Sequence, residues 1–402
     1  MKRLLGMFLP FAACVCLLSG CWSKKELTDL AFVIAVGLDK TEDGKYLASF
    51  QVVNPGNVAG ATQRGGGAGG VPVSIYTSTG DSLDEASRKA SEKVSRLLYY
   101  AHTNLVVIGE ELAREGLDGV FDVMERHHQF RPTARLVIAR GHSAKDTLSV
   151  LTPIDKISAN QIIKTLEFSE KSWGQTIHAD VWWAIRGIAS PGRNPVMTGV
   201  SIEGSLEKGK RQENVQSSVP DARVTLNGLA LFKNGRLVHW VNGPTARGMM
   251  WVLDRIHQTN LTIPWEGKQE AIGYRTARAK TNVEARVNNG RPSISVHIKA
   301  EGDISEARVP INLADAGVVF RLEKELERNV KQEVTKAIET AQREKTDIFG
   351  FGDAVHRAAP RLWKKIEKEW HDRYFPELDV TVTADLYIRH TGLRNKPYIE
   401  EE

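Results

Sequence analysis

The sequence predicts an α+β fold, organised as three mixed sheet-and-helix domains after a lipoprotein signal peptide. Three observations predict it. Strand-type and helix-type hydrophobic periods alternate along the chain. Two Asn-Gly turns, Asn234-Gly235 and Asn289-Gly290, sit between alternating apolar runs, the pattern of tight hairpins. One long amphipathic stripe occupies the last third of the chain.

The first element is the leader. Lys2 and Arg3 precede an uncharged run from Leu4 to Leu18, about fifteen residues and short for a bilayer core of ~30 Å. The run ends in Leu18-Ser19-Gly20-Cys21, which reads as a lipobox. The small residues let a peptidase approach the backbone, and the Cys21 thiol takes a diacylglyceryl group. Residues 1–20 are therefore the expected signal peptide. Of the 3 cysteines, Cys14 and Cys16 would leave with it, so the exported chain carries no internal disulfide. Acyl chains on Cys21 would give stable attachment, since each buried CH₂ contributes roughly 0.8 kcal/mol.

The domain expected over 21–195 opens with strands at Leu30–Val36 and Tyr46–Val53, joined by turn-forming residues 39–44. A Gly-rich loop follows at 56–70, without the Gly-Lys-Ser/Thr ending of a phosphate loop. Val73–Ser78 is a strand. Ser82 and Glu85 form a capping box for a helix that sets Ala86, Ala90, Val94 and Leu97 on one side. A strand at Asn104–Gly109, a helix at Gly116–Arg126 burying Leu117, Val120, Phe121 and Met124, and a strand at Arg135–Ala139 complete it. Ser190–Pro195 reads as a linker.

A small α+β domain is expected over 196–275. It has a strand at Gly199–Gly204, a loose polar stretch at 208–220, the hairpin at Asn234-Gly235 and a helix at Thr245–Arg255. The third domain, 276–402, has a hairpin at 281–300 and a long helix over 314–347. That helix's stripe is Val319, Leu322, Leu326, Val330, Val334, Ile338 and Ala341. Phe349-Gly350-Phe351-Gly352 breaks it. Asp353 is the expected cap of the next helix, with Pro360 a bend, and Leu378–Ile388 alternates as an edge strand.

The sequence carries no recognisable catalytic residue, metal site or cofactor motif. HExxH, GxSxG and SxxK are absent, and none of the 11 His has ligand spacing. With 54 basic against 49 acidic residues, the charge is mixed and does not point to nucleic acid. Trp182, Trp183, Trp240, Trp251 and Trp265 are core candidates or, alternatively, the lining of a groove. The charged faces of the long helix and the Phe349–Gly352 break are candidate docking surfaces.

The assembled motifs resemble the Ger(x)C family, lipoprotein C subunits of nutrient germinant receptors in endospore-forming bacteria. The residues that carry the resemblance are Gly20-Cys21-Trp22, Glu26-Leu27, Gly37-Leu38-Asp39, Phe50–Pro55, Leu98–Gly116, Asn227–Phe232 and, most specifically, Thr346–Pro397. The resemblance implies three α+β domains tethered by acylated Cys21 to the lipid bilayer, on the outer face of the spore inner membrane. It implies germinant receptor A and B membrane subunits as partners, a polytopic A and a transporter-like B, and no enzymatic activity. It implies a complex that senses nutrients and triggers ion and dipicolinate release. The alternative reading is a solute-binding lipoprotein that delivers a small nutrient to a membrane transporter through its Trp-rich segments.

Overall fold

The computed structural model describes residues 26–59, 70–127 and 129–392. The lipobox residues Leu18, Ser19, Gly20 and Cys21, His128 and most of the Gly-rich loop lie outside them.

Two sheets organise the described chain. The first runs in the order β3-β2-β1-β5-β6-β7-β8-β9, with the short β4 beside β1. Its strands are β1 Leu30–Lys40, β2 Tyr46–Val53, β3 Val73–Gly80, β4 Leu97–Tyr99, β5 Leu105–Gly109, β6 Arg135–Ala139, β7 Val196–Gly204, β8 Ala222–Lys233 and β9 Arg236–Val241. Strands β1, β5, β6 and β7 are parallel, and the flanking pairs are antiparallel hairpins. The apolar runs of β5 and β6 are buried on both faces, as parallel strands between helices require.

Helices cover both faces. Helices α1 Leu83–Lys89, α2 Glu110–Glu115 and α3 Asp118–Arg126 bury Ala86, Leu112, Val120 and Phe121 against one face. Helices α4 Ala144–Ser149 and α5 Ser158–Ser172 bury Ala144, Leu148, Ile162 and Leu166 against the other. Helix α6 Val181–Ala189 closes the first face. The capping box forms: the Ser82 hydroxyl accepts the Glu85 N–H at 3.2 Å, and Glu85 accepts from the Asp81 N–H at 2.8 Å. Helix α1 is shorter than its period predicts. Leu97 leaves it to start β4, because pairing with Leu30 demands an extended chain.

The second sheet has the order β10-β11-β12-β13, from β10 Asn260–Trp265, β11 Lys268–Asn288, β12 Arg291–Ala307 and β13 Asp379–His390. Helix α7 Gly243–Val252 connects the sheets, and α8 Ala316–Arg343 packs along the second. Both Asn-Gly turns have the positive φ pair of a type I′ hairpin: 49° and 73° at Asn234-Gly235, 51° and 76° at Asn289-Gly290.

The expected boundaries meet this arrangement differently. β7 to β9 continue the first sheet, so residues 196–241 have no sheet of their own. The boundary at 275/276 falls inside β11. One apolar core spans Val196, Leu229 and Leu231 of the first sheet, α7, the second sheet and α8. The polar stretch 208–220 is held rather than loose: buried Asn214 donates to the carbonyls of Leu151 at 2.7 Å and Ala222 at 3.0 Å. On α8, Val318 rather than Val319 heads the buried stripe. Pro360 begins a separate helix, α10 Pro360–Ile366, after α9 Phe351–Ala358.

Candidate functional site: the joint between the two sheets

A cluster of long-range polar contacts lies where Ser190–Pro195 meets Thr346–Gly352. The first segment, expected as a linker, is packed: Asn194 is 3% exposed, and its N–H donates to the Asp347 carbonyl at 2.7 Å. Thr346 donates its hydroxyl to the Phe232 carbonyl at the end of β8. Gly192 and Gly352 touch backbone to backbone. A Cβ on Gly352 would lie 2.6 Å from the Gly192 Cα, so neither position has room for a side chain.

Asp347 holds this turn together. Its Oδ1 accepts the N–H groups of Phe349, Gly350 and Phe351 at 3.1, 2.9 and 3.1 Å. Its Oδ2 accepts from the Gly352 N–H at 2.8 Å and the Trp370 indole at 3.0 Å. The N–H groups of Gly350, Phe351 and Gly352 are orphan donors of the α9 N-terminus. Asp347 therefore does the capping expected of Asp353. Gly350, at φ 75°, takes the left-handed turn that lets five donors converge. Burial pushes the Asp347 carboxyl up, to about 6, while the five donors favour its anion.

His371 completes the joint. Burial, with Lys233 nearby, pushes it down to about 4, so its ring is neutral at pH 7. A ring nitrogen accepts from the Asn194 amide at 3.2 Å. At the rim, Asp353 accepts the Ser190 hydroxyl at 2.9 Å and pairs with Arg193 at 3.4 Å. Lys233 of β8 meets Asp372 at 2.6 Å. Phe349 and Phe351 stack at 5.0 Å and are buried, so the Phe349–Gly352 break is not an exposed docking surface.

A second contact reinforces the joint. Arg247 of α7 forms a buried two-point pair with Glu333 of α8, and also donates to the Asn260 carbonyl at 2.8 Å. Gly248 lies beside it, where a Cβ would come 2.3 Å from the Glu333 carbonyl oxygen. Such a pair contributes little net stability, but it is costly to break and it fixes position.

The tryptophans do not converge on one groove. Trp251 is core, Trp183 lies between Arg193 and Arg255, and Trp265 lies under Arg321. Trp240 donates to Glu110 at 2.9 Å under Arg140. Trp182 is half exposed on the far side of α6. A polar cleft of about 570 Å³ opens where β1, β5 and β6 end. Asp39 lines it, but its two oxygens are taken by the N–H groups of Ala144 and Lys145 at 2.7 and 3.0 Å. Among the described residues, no group of three or more His, Cys, Asp or Glu could hold a metal, and no helix is long and apolar enough to cross a membrane. The centre of the joint is built for positional rigidity: the side chains of Asp347 and Asn194 are buried and hydrogen-bonded within it.

Sequence reasoning missed Asp347, Asn194 and His371. The one available signal was the Asp347 carboxylate placed shortly before Gly350 and Gly352.

The comparisons with known proteins agree in scope. A family model described as "Spore germination protein N-terminal domain" matches residues 23–202, and one described as "Spore germination B3/ GerAC like, C-terminal" matches residues 227–392. The chain is 40% identical over 398 residues to spore germination protein KC of Bacillus subtilis, covering 98% of this chain and 97% of that one. It is 25% identical to spore germination protein B3 of the same organism, covering 94% and 96%. The crystal structure of the GerBC protein matches 88% of this chain and 96% of its own, with a TM-score of 0.55 at 19% identity, which is a likeness of fold.

Proposed function

We infer the function from one premise: the chain belongs to the Ger(x)C family of spore germination proteins, the C subunits of germinant receptors. Its coarse role is spore germination, within a receptor complex that has other subunits. We propose further that it is a non-enzymatic subunit, held at the outer face of the spore inner membrane by acyl chains on Cys21, with Leu18, Ser19 and Gly20 as the processing context. On this reading its partners are the A and B membrane subunits. The anchor raises its effective concentration beside them. The locked joint lets the two sheets present one fixed surface, to which the solvent side of α8 contributes Lys324, Arg328 and Lys331.

The observation that supports this most is the whole-length similarity to a spore germination protein, together with a lipobox at its N-terminal end. The test uses spores lacking the gene, complemented with wild type or with Cys21→Ala, scored by dipicolinate release across amino acids and sugars. Loss for a particular nutrient, restored by wild type but not by Cys21→Ala, is the expected result. Unchanged release in every strain would remove the receptor role.

The second reading, a solute-binding lipoprotein, draws on the polar cleft beside Asp39, Lys40, Glu110 and Arg114. The scattered tryptophans give it no support. Calorimetry of residues 22–402 against a nutrient panel separates the readings, since only a solute-binding protein would bind tightly on its own.

A further inference from the structure

We infer that the N-terminal end of the first sheet rests on the lipid surface, with Leu27 and Leu97 as its apolar contacts. The inference rests on the reading of Cys21 as the acylated residue and adds the surface that this anchor holds down.

A chain spans at most about 3.6 Å per residue, so Leu27 lies within about 22 Å of Cys21, and Leu30 within about 32 Å. The headgroup layer itself takes up several ångströms of that span. The start of β1 therefore cannot stand far from the bilayer. What the structure places there is apolar and exposed. Leu27 is 73% exposed and Leu97 52%. Leu97 pairs in parallel register with Leu30, three residues after Leu27, so both leucines belong to the same end of the sheet. A lone exposed leucine needs no explanation. Two at the one end an anchor can reach are what an interface with lipid uses.

The tether has matching chemistry. By sequence it carries Trp22, Lys24 and Lys25. Trp settles at the headgroup level, and Lys is drawn to anionic headgroups. Lys93 and Arg96 add positive charge near Leu97, while Glu26, Asp29 and Glu92 offset it. Charge therefore assists weakly, and the apolar contacts fix the orientation. Behind the leucines, Phe32 meets Tyr99 edge-on at 6.0 Å and His102 at 5.3 Å, which stiffens the base.

The opposite end of the sheet supplies a control. β1, β5, β6 and β7 all run the same way, so the connection 205–221 after β7 lies at the far end. It carries Val219, which is 77% exposed. Exposure is thus similar at both ends, but only one is within reach of the anchor.

The test uses the full-length chain acylated in a bacterial host. With Cys14 and Cys16 removed and Cys21 acylated, an introduced cysteine is the one free thiol. Leu97→Cys and Val219→Cys proteins are each given a fluorophore. They are bound to vesicles of phosphatidylglycerol and phosphatidylethanolamine that carry a nitroxide quencher on the acyl chains. The Leu97 label should lose most of its emission to the quencher, and the Val219 label should keep it. Equal emission from both labels on vesicle-bound, acylated protein would overturn the lipid contact while leaving the anchor intact. A chain recovered unacylated and free of vesicles would overturn the Cys21 reading and the contact with it. Mass spectrometry of Cys21 tells these two failures apart.

Discussion

The joint and the open face of the second sheet are both rich in polar side chains, yet they use them in opposite ways. At the joint, Asp347 and Asn194 are buried and His371 is half-buried, and besides the nearby N–H groups that Asp347 accepts they pair with partners 23 to 177 residues away in sequence. On the open sheet face, Asn282, His297 and Thr383 form one cross-strand row, and Arg278, Glu301 and Tyr387 another. Those side chains are exposed or half-exposed. Their pairs, such as Arg389–Glu301 at 2.9 Å, stand in water. A buried polar group is costly to strip of its partner, while a solvated ion pair is worth little. The difference teaches that polarity alone does not mark a functional surface. One set locks the two sheets to each other, and the other is available to a partner.

The sharpest way to break the comparison is Asp347→Ala. It leaves five buried N–H donors without their acceptor and should cost about 4 kcal/mol or more, read as a lower urea midpoint. A loss below about 1 kcal/mol would mean that the turn holds itself without the carboxylate. Glu333→Ala comes next. It leaves Arg247 charged and buried, for an expected loss of about 3 to 5 kcal/mol by the same measurement. Gly352→Ala forces the Gly192 backbone away and should cost about 1 to 3 kcal/mol. Protease cleavage near Ser190–Pro195 should rise with it.

Acid titration sharpens the same contrast. The folded value of His371, about 4, is below its unfolded value, so its stabilising contribution holds near neutrality and is lost as the pH falls towards 4. The folded value of Asp347, about 6, is above its unfolded value, so its contribution is full in acid and lost as the pH rises through 6. The two oppose each other between about pH 4 and 6. His371→Gln removes the acid-sensitive half, so its deficit against wild type should be smaller at pH 4.5 than at pH 7. A deficit that grows on acidification would reverse the assignment.

The smallest effect is expected on the exposed surfaces. Lys331→Ala on α8 or Arg389→Ala on β13 should change stability by less than about 0.5 kcal/mol. Any germination defect in such a variant would then report lost contact with a partner.

Much of this was legible in the sequence, and the reason is locality. The Ser82 capping box and the two Asn-Gly turns are decided within a few residues of themselves, and the structure places them where the sequence did. The stripe from Leu322 to Ala341 was legible because a helix repeats its buried face every three or four residues. The reading of Leu18-Ser19-Gly20-Cys21 as a lipobox is likewise a local one, and these residues lie outside the described ones. The sequence by itself thus determined the α+β class, many of the strands and helices and the family resemblance, whereas helices α4, α5 and α6 and strand β10 were not read from it.

Tertiary structure decided the rest. Nothing local shows that 196–241 extends the first sheet, because a strand does not encode which neighbour it pairs with. Nothing local turns Ser190–Pro195 from a linker into half of a joint, because Gly192 acquires its role only when Gly352 arrives from 160 residues away. Asp347 looked no different from Asp353 as a cap until the Gly350 turn and Trp370 brought their donors to it. The worth of a polar side chain depends on its burial and its partners, and both are properties of the packed molecule.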